Sequence, residues 1–387
     1  MTAPERAGSS STVSISGEVA PGFERVADAF ALNFRDRGDR GAAVAVVIEG
    51  TTVVDLWAGE ARNGAPWMRS TRTAVFSVSK AITALCLLMA ADLGLLDLDA
   101  PVSLYWPEFG VNGKHRISVR HALAHRAGVV GFSEPWDAVA LAAWTPIVDD
   151  LAGQTPVWEP DTAFAYHPVS VGFIAGEILR RATGLRPSQW LAEHIAGPLG
   201  LEMTYGADPD DADFAPLRSA GPGGVGEIPL AAPDEPFVRR AMLADGAYGP
   251  DLFTAAAGPA FLGPESPAAN VVTRARDLAQ LFSAVADPQG DSPLVSREVL
   301  AAAAVPISFG KPFVGVDKGD TWGTGFMLHS ARRGMAGPGS FGHDGAGGHL
   351  AFAQPGLGLG FGYHTALAGG DDDIRAEALC AALRECL

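Results

Sequence analysis

Lysine is nearly missing from this 387-residue chain, standing only at Lys80, Lys114, Lys311 and Lys318. Acidic residues outnumber lysine plus arginine, 44 to 28, which gives a net charge of −16. That balance argues against nucleic acid or an anionic membrane as partner, because both are polyanions that recruit basic faces. Cysteine is also scarce: Cys86, Cys380 and Cys386 are too few for a disulfide framework and lack zinc-site spacing, so they read as inert buried thiols. Long apolar runs are lacking too. The longest, residues 81–96, is broken by Asp92 and Gly94 and falls short of a bilayer span. Residues 1–19 are polar and Ser-rich without the apolar segment of a secretory signal, so the expected location is cytoplasmic. There is no Gly-x-Ser-x-Gly elbow, Walker loop or dinucleotide fingerprint.

What is present fits a soluble globular protein, with 48% apolar and 19% charged residues. Residues 1–14 read as a flexible tail and 15–387 as a single catalytic domain. Apolar spacing at Phe23, Val26, Phe30 and Leu32 predicts an amphipathic helix over 21–34. The β-branched runs 41–49 and 52–57, joined at Gly50, predict a hairpin. Residues 77–93 form the clearest helix, apolar enough to be buried. Further helices are expected over 118–125 and 170–183, the latter closed by Gly184. Residues 204–236, dense in Asp, Pro and Gly, predict a long surface loop. Thr273 is a plausible N-cap for a helix containing Asp277. Strands are expected over 341–346, 349–354 and 357–364, and a last helix over 373–385, with the acidic run 371–373 at its start.

Strands at both termini with helices between them predict a mixed α/β (α+β) fold. One antiparallel sheet would be built from the N- and C-terminal strands and flanked by helices. The sheet lobe would span about 15–100 and 270–387, and a mainly helical lobe about 101–269 would be inserted between. The cleft between lobes is where a ligand is expected.

The scarce lysines single out Phe76-Ser77-Val78-Ser79-Lys80. A serine hydroxyl is a weak nucleophile and needs a base in hydrogen-bonding reach. Residues i and i+3 share a helix face, so Lys80 can meet Ser77. Burial in an apolar helix disfavours the ammonium and makes the amine a usable base. A second Ser-x-x-Lys, Ser308 to Lys311, is bracketed by Pro306 and Pro312 and contains Gly310, so it cannot sit on a stable helix. His121 and His125 have the spacing of a zincin helix, but Ala122 stands where that motif needs glutamate. No metal or cofactor is expected.

Four later landmarks follow in order: Tyr105-Trp106-Pro107-Glu108-Phe109 running on to Ile117-Ser118-Val119-Arg120-His121; Trp158-Glu159-Pro160 leading to Tyr166-His167; Trp322-Gly323-Thr324-Gly325-Phe326; and Gly342-His343-Asp344-Gly345-Ala346-Gly347-Gly348. With the first motif, this series over roughly 15–385 resembles the β-lactamase-like serine hydrolases, most closely the family VIII carboxylesterases. The resemblance implies a β-lactamase/transpeptidase-like fold and an acyl-enzyme on Ser77, with Lys80 and Tyr166 as the shared base. A phenol beside an ammonium is expected to have its pKa lowered. The oxyanion hole would be the N–H groups of Ser77 and Ala346. His343 and Gly345 would contact substrate.

Two departures from the family pattern bear on the substrate. His343 stands where β-lactamases and penicillin-binding proteins carry the lysine of Lys-Thr-Gly, and it supplies less fixed positive charge. Tyr166-His167-Pro168 stands where class C β-lactamases have Tyr-x-Asn, so the amide that binds an acylamino side chain is missing. Both favour a small or medium neutral carboxylic ester as the small-molecule partner. Amidase, D-aminopeptidase, β-lactamase and acyltransferase activities remain open on the same scaffold, as does a non-catalytic binding role. Oligomeric state is also left open.

Overall fold

Apolar strands from the two terminal regions, buried almost throughout, build one sheet covered on both faces. The computed structural model describes residues 13–218, 235–249, 251–287, 294–370 and 372–387. Most of the expected tail, residues 1–12, therefore lies outside the described residues. So does 219–234 of the expected long loop.

The strands are β1 (Ile15–Val19), β2 (Gly41–Ile48), β3 (Thr51–Gly59), β4 (Thr73–Ala74), β5 (Met203–Tyr205), β6 (Val271–Thr273), β7 (Ser308–Phe309), β8 (Thr321–Trp322), β9 (Met327–Leu328), β10 (Phe341–Gly345), β11 (His349–Gln354) and β12 (Leu359–Thr365). Among the described residues, nine of them form an antiparallel sheet in the order β1-β3-β2-β12-β11-β10-β9-β8-β7. N-terminal β2 thus pairs with C-terminal β12, Ile48 opposite Leu359 and Ala42 opposite Thr365. A smaller sheet, β4-β6-β5, leads into the segment that carries Ser77.

Six helices bear on the site: α1 (Glu24–Asp36), α2 (Val78–Asp92), α3 (Val119–Leu123), α4 (Ser170–Thr183), α5 (Ala275–Val285) and α6 (Arg375–Arg384). On one sheet face, Val44 and Val46 of β2 and Phe361 of β12 pack with Val26 and Phe30 of α1 and Leu379 and Leu383 of α6. On the other face, Ala45 and Val47 meet Ala279 of α5. A Cβ at Gly360 would come within 2.0 Å of the Ala279 carbonyl oxygen, so α5 can lie this close only over glycine. α2 is apolar nearly all round and buried along most of its length. It packs against α4 and the rest of the helical region, in the largest hydrophobic core of the described residues. The expected mixed α/β architecture, with an antiparallel sheet from both termini and helices inserted between, is what the chain forms.

Several boundaries differ from expectation. Thr273 is not an N-cap: it ends β6, paired with Thr73 and Met203, and is fully buried. α5 starts two residues later, where Arg274 Nε donates to Asp277 Oδ2 at 2.6 Å. The last strand begins at Leu359 because Pro355–Leu357 form a 3-10 turn. α6 starts at Arg375, whose backbone N–H donates to Asp373 Oδ1 at 2.9 Å. Residues 204–218 of the loop expected over 204–236 are more ordered than a surface loop. Met203–Tyr205 is β5, and Phe214, Ala215 and Leu217 are buried. Ser308 belongs to edge strand β7, its Oγ donating to the Ala124 carbonyl at 2.6 Å, while Lys311 is exposed. Among the described residues, no helix is long and apolar enough to cross a membrane.

Candidate active site

Ser77 is placed by strain on one side and helix geometry on the other. Phe76 just before it has φ +47, a left-handed conformation that a bulky residue rarely adopts. Its side chain is 2% exposed and locked among Phe253, Phe261 and His349, with ring centres 5.6–5.7 Å away. Val75 N–H donates to the Val271 carbonyl, and Val271 N–H donates to Ser79 Oγ, each at 2.9 Å, so α2 is tied to β6 at its first turn. Ser77 occupies the N-cap position of α2 yet makes no side-chain cap bond. A serine here ordinarily bonds a free N–H of the first turn. This hydroxyl faces other partners.

Those partners are Lys80 and Tyr166. Lys80 Nζ lies 3.0 Å from Ser77 Oγ and donates to the Ala268 carbonyl oxygen at 2.9 Å. Tyr166 OH donates to Ser77 Oγ at 2.9 Å. Burial lowers the Lys80 ammonium to about 7, against a smaller opposing pull from the Asp344 carboxylate. Tyr166 behaves contrary to expectation. Burial pushes its phenol up from the ordinary value, with the Ser77 hydrogen bond opposing only in part and Asp344 and Asp320 adding to the rise. The expected lowering next to an ammonium fails because the cost of burying a phenolate outweighs it. Lys114, the other buried lysine, donates to the carbonyls of Val111 and Gln154 and ties down a turn.

β10 brings the glycine-rich segment alongside. A Cβ at Gly345 would lie 2.3 Å from the Val75 carbonyl oxygen and 2.9 Å from His349 Cβ. Only glycine lets β10 rest on the segment entering Ser77. Ser77, Tyr166, Gly345 and Ala346 line one cavity of about 630 Å³, together with Phe253, Val314, Trp322 and Arg333. His343 is 1% exposed, with its Nδ1 2.6 Å from the Asp344 carbonyl oxygen and its ring centre 6.0 Å from that of Tyr166. It stands behind the phenol and is not among the residues lining the cavity.

Sequence reasoning missed several participants. Burial works against the Asp344 carboxylate, but the hydrogen bond from His343 and the charges of Arg333 and Arg332 outweigh it and hold its carboxyl below the ordinary range. Arg333 is paired with Asp344, and Arg332 Nη1 lies 3.5 Å from Asp320 Oδ2. Trp322, noticed only as a landmark, stacks on Tyr166 with ring centres 6.1 Å apart. The Ala268 carbonyl carried no signal, since any residue type supplies one. His121 and His125 do not converge on a common site: His121 Nδ1 lies 3.2 Å from Asp161 Oδ1, and His125 is buried beside Tyr166.

The chain is similar to known proteins over most of its length. The Beta-lactamase family matches residues 30–383. The chain is 32% identical over 378 residues to Esterase/beta-lactamase LipL of Mycobacterium tuberculosis, which covers 89% of this chain and 81% of that relative. Among solved structures, it is similar to a family VIII carboxylesterase with a TM-score of 0.85 and 34% identity, covering 97% of this chain and 100% of the other. A penicillin-binding protein homolog from Caulobacter crescentus gives a TM-score of 0.84 and 33% identity, again over 97% and 100%. With the sheet and the inserted helices in accord with a match across most of its length, the chain belongs to the β-lactamase family and is a serine hydrolase.

Proposed function

We propose that this protein is a serine esterase that hydrolyses small to medium carboxylic esters through an acyl-enzyme on Ser77. One observation carries the reading: Ser77 Oγ is shared by a buried amine at 3.0 Å and a phenol at 2.9 Å. Neutral Lys80 takes the Ser77 proton as Oγ attacks the ester carbonyl. The oxyanion forms against the N–H groups of Ser77 and Ala346. Collapse expels the alcohol oxygen, which takes a proton from Tyr166 while the Lys80 ammonium restores the phenol. Water then attacks the acyl-enzyme by the same path in reverse.

The charge pattern supports esters over β-lactams. Arg333 and Arg332 line the cavity, but each faces an aspartate, Asp344 and Asp320, so little uncompensated positive charge is left for a substrate carboxylate. Relatives described as an esterase/beta-lactamase and a family VIII carboxylesterase fit the same reading. The test is intact-protein mass after exposure to a fluorophosphonate, with the adduct mapped, alongside turnover of p-nitrophenyl esters and nitrocefin. An adduct on Ser77 and faster ester turnover are expected. An adduct elsewhere would remove the mechanism, and faster nitrocefin cleavage would remove the substrate class.

A further inference from the structure

His121 and His125 sit one helical turn apart at the end of α3, in a spacing that the chemistry at Ser77 does not use. Both grip the same piece of chain, the one that carries Tyr166. His121 reaches Asp161. His125 holds the other end twice: its carbonyl accepts the Ala165 N–H at 3.3 Å, and its Nδ1 accepts the His167 N–H at 3.2 Å. A single residue thus bonds both chain neighbours of Tyr166. Its ring centre lies 4.9 Å from that of Tyr166 and 5.8 Å from that of Trp322. His125 and Lys80 also line one small cavity of about 10 Å³.

The arrangement is held against a local cost. His125 has φ +66, a left-handed conformation uncommon outside glycine even though histidine, like asparagine and aspartate, adopts it more often than other residues. It is 3% exposed. An imidazole that accepts at Nδ1 carries its proton on Nε2 and is neutral. Burial favours that state, as do the neighbouring His167, Lys80 and His343, all of which lower its pKa well below the ordinary value.

We propose that His125 is a positioning residue whose carbonyl and Nδ1 clamp the residues flanking Tyr166 and so hold the phenol on Ser77 Oγ. The clamp rests on the reading of Tyr166 as part of the proton path. Three variants of the full chain test it. His125→Leu keeps bulk and removes the acceptor. His125→Asn places Oδ1 near the position of Nδ1 and tolerates the left-handed backbone. His125→Gln carries its polar atoms one bond farther out.

His125→Leu is expected to lower kcat about 10- to 100-fold with KM within about threefold, as misplacement of a reacting group does. His125→Asn should return kcat to within about fivefold of the parent. The loss should vanish in a Tyr166→Phe background, because the clamp acts only through the phenol. An unchanged kcat in His125→Leu, no rescue by asparagine, or the same loss without the Tyr166 hydroxyl would overturn the clamp. Should His125→Leu fail to fold, equal kcat for the Asn and Gln variants would overturn it instead. The underlying reading fails differently: Tyr166→Phe alone would leave kcat unchanged, or Ser77 would stay unlabelled in the parent protein.

Discussion

Lys80 holds its Nζ 3.0 Å from Ser77 Oγ across one turn of α2, while its other hydrogen bond goes to an uncharged carbonyl at Ala268. A neutral amine suits both contacts, donating N–H to the carbonyl and offering its lone pair to the serine hydroxyl. An ammonium would have to donate to both and would leave the serine without a base. The buried phenol of Tyr166 stays protonated and donates to the same oxygen. In the proposed mechanism the two groups therefore divide the work, with Lys80 accepting the proton and Tyr166 supplying one.

The first prediction separates the two Ser-x-x-Lys copies. Ser77→Ala should lower ester turnover by about 10³-fold or more and abolish the phosphonate adduct. Ser308→Ala removes only the hydrogen bond to the Ala124 carbonyl. It should retain activity and cost about 0.5–1.5 kcal/mol of stability in denaturant unfolding. Loss of the adduct in Ser308→Ala would place the nucleophile there.

The pH profile follows from Lys80. Its ammonium titrates at about 7 in the folded protein, and only the deprotonated form accepts the serine proton. The rate constant kcat/KM should rise with pH through about 7 and level off above it. A profile flat between about pH 6 and 8 would exclude Lys80 as the base.

Close packing at Gly345 gives a steric test. The added methyl of Gly345→Ala meets the Val75 carbonyl oxygen at 2.3 Å, so β10 or the segment entering Ser77 must move. Activity should fall by about 10²-fold, as a displacement of about 1 Å at reacting groups does. Stability should drop by about 1–3 kcal/mol. Full activity in this variant would show that β10 does not set the geometry of the site.

Glu177 isolates stability from chemistry. Its buried carboxylate accepts from Trp144 Nε1 at 2.8 Å and from Arg180 and Arg181 at 2.7–2.8 Å. Glu177→Leu leaves the buried indole N–H without its acceptor. Unfolding free energy should fall by about 1–3 kcal/mol, while Ser77 labelling in the folded fraction stays unchanged. An unchanged midpoint in thermal unfolding would mean that this network contributes nothing.

The amino-acid sequence by itself determined the local elements whose pattern is complete over short distances. The hairpin of β2 and β3, the span of α4 closed by Gly184, and the apolar helix bearing Ser77 and Lys80 were all legible, because period and spacing decide which side chains share a face. The five ordered motifs pointed to the family. Tertiary structure decided what depends on burial and on long-range contact. Tyr166 comes from 89 positions away to reach Ser77, and only then does desolvation set its proton affinity, upward and not downward. Arg333 and Asp344 cancel each other's charge only once β10 and the preceding turn are side by side. Lys80 depends on the Ala268 carbonyl, which no residue type encodes. Spacing along the chain was enough to pair Ser77 with Lys80, whereas the charge state and reach of every other group depended on the protein surface removed from water around them.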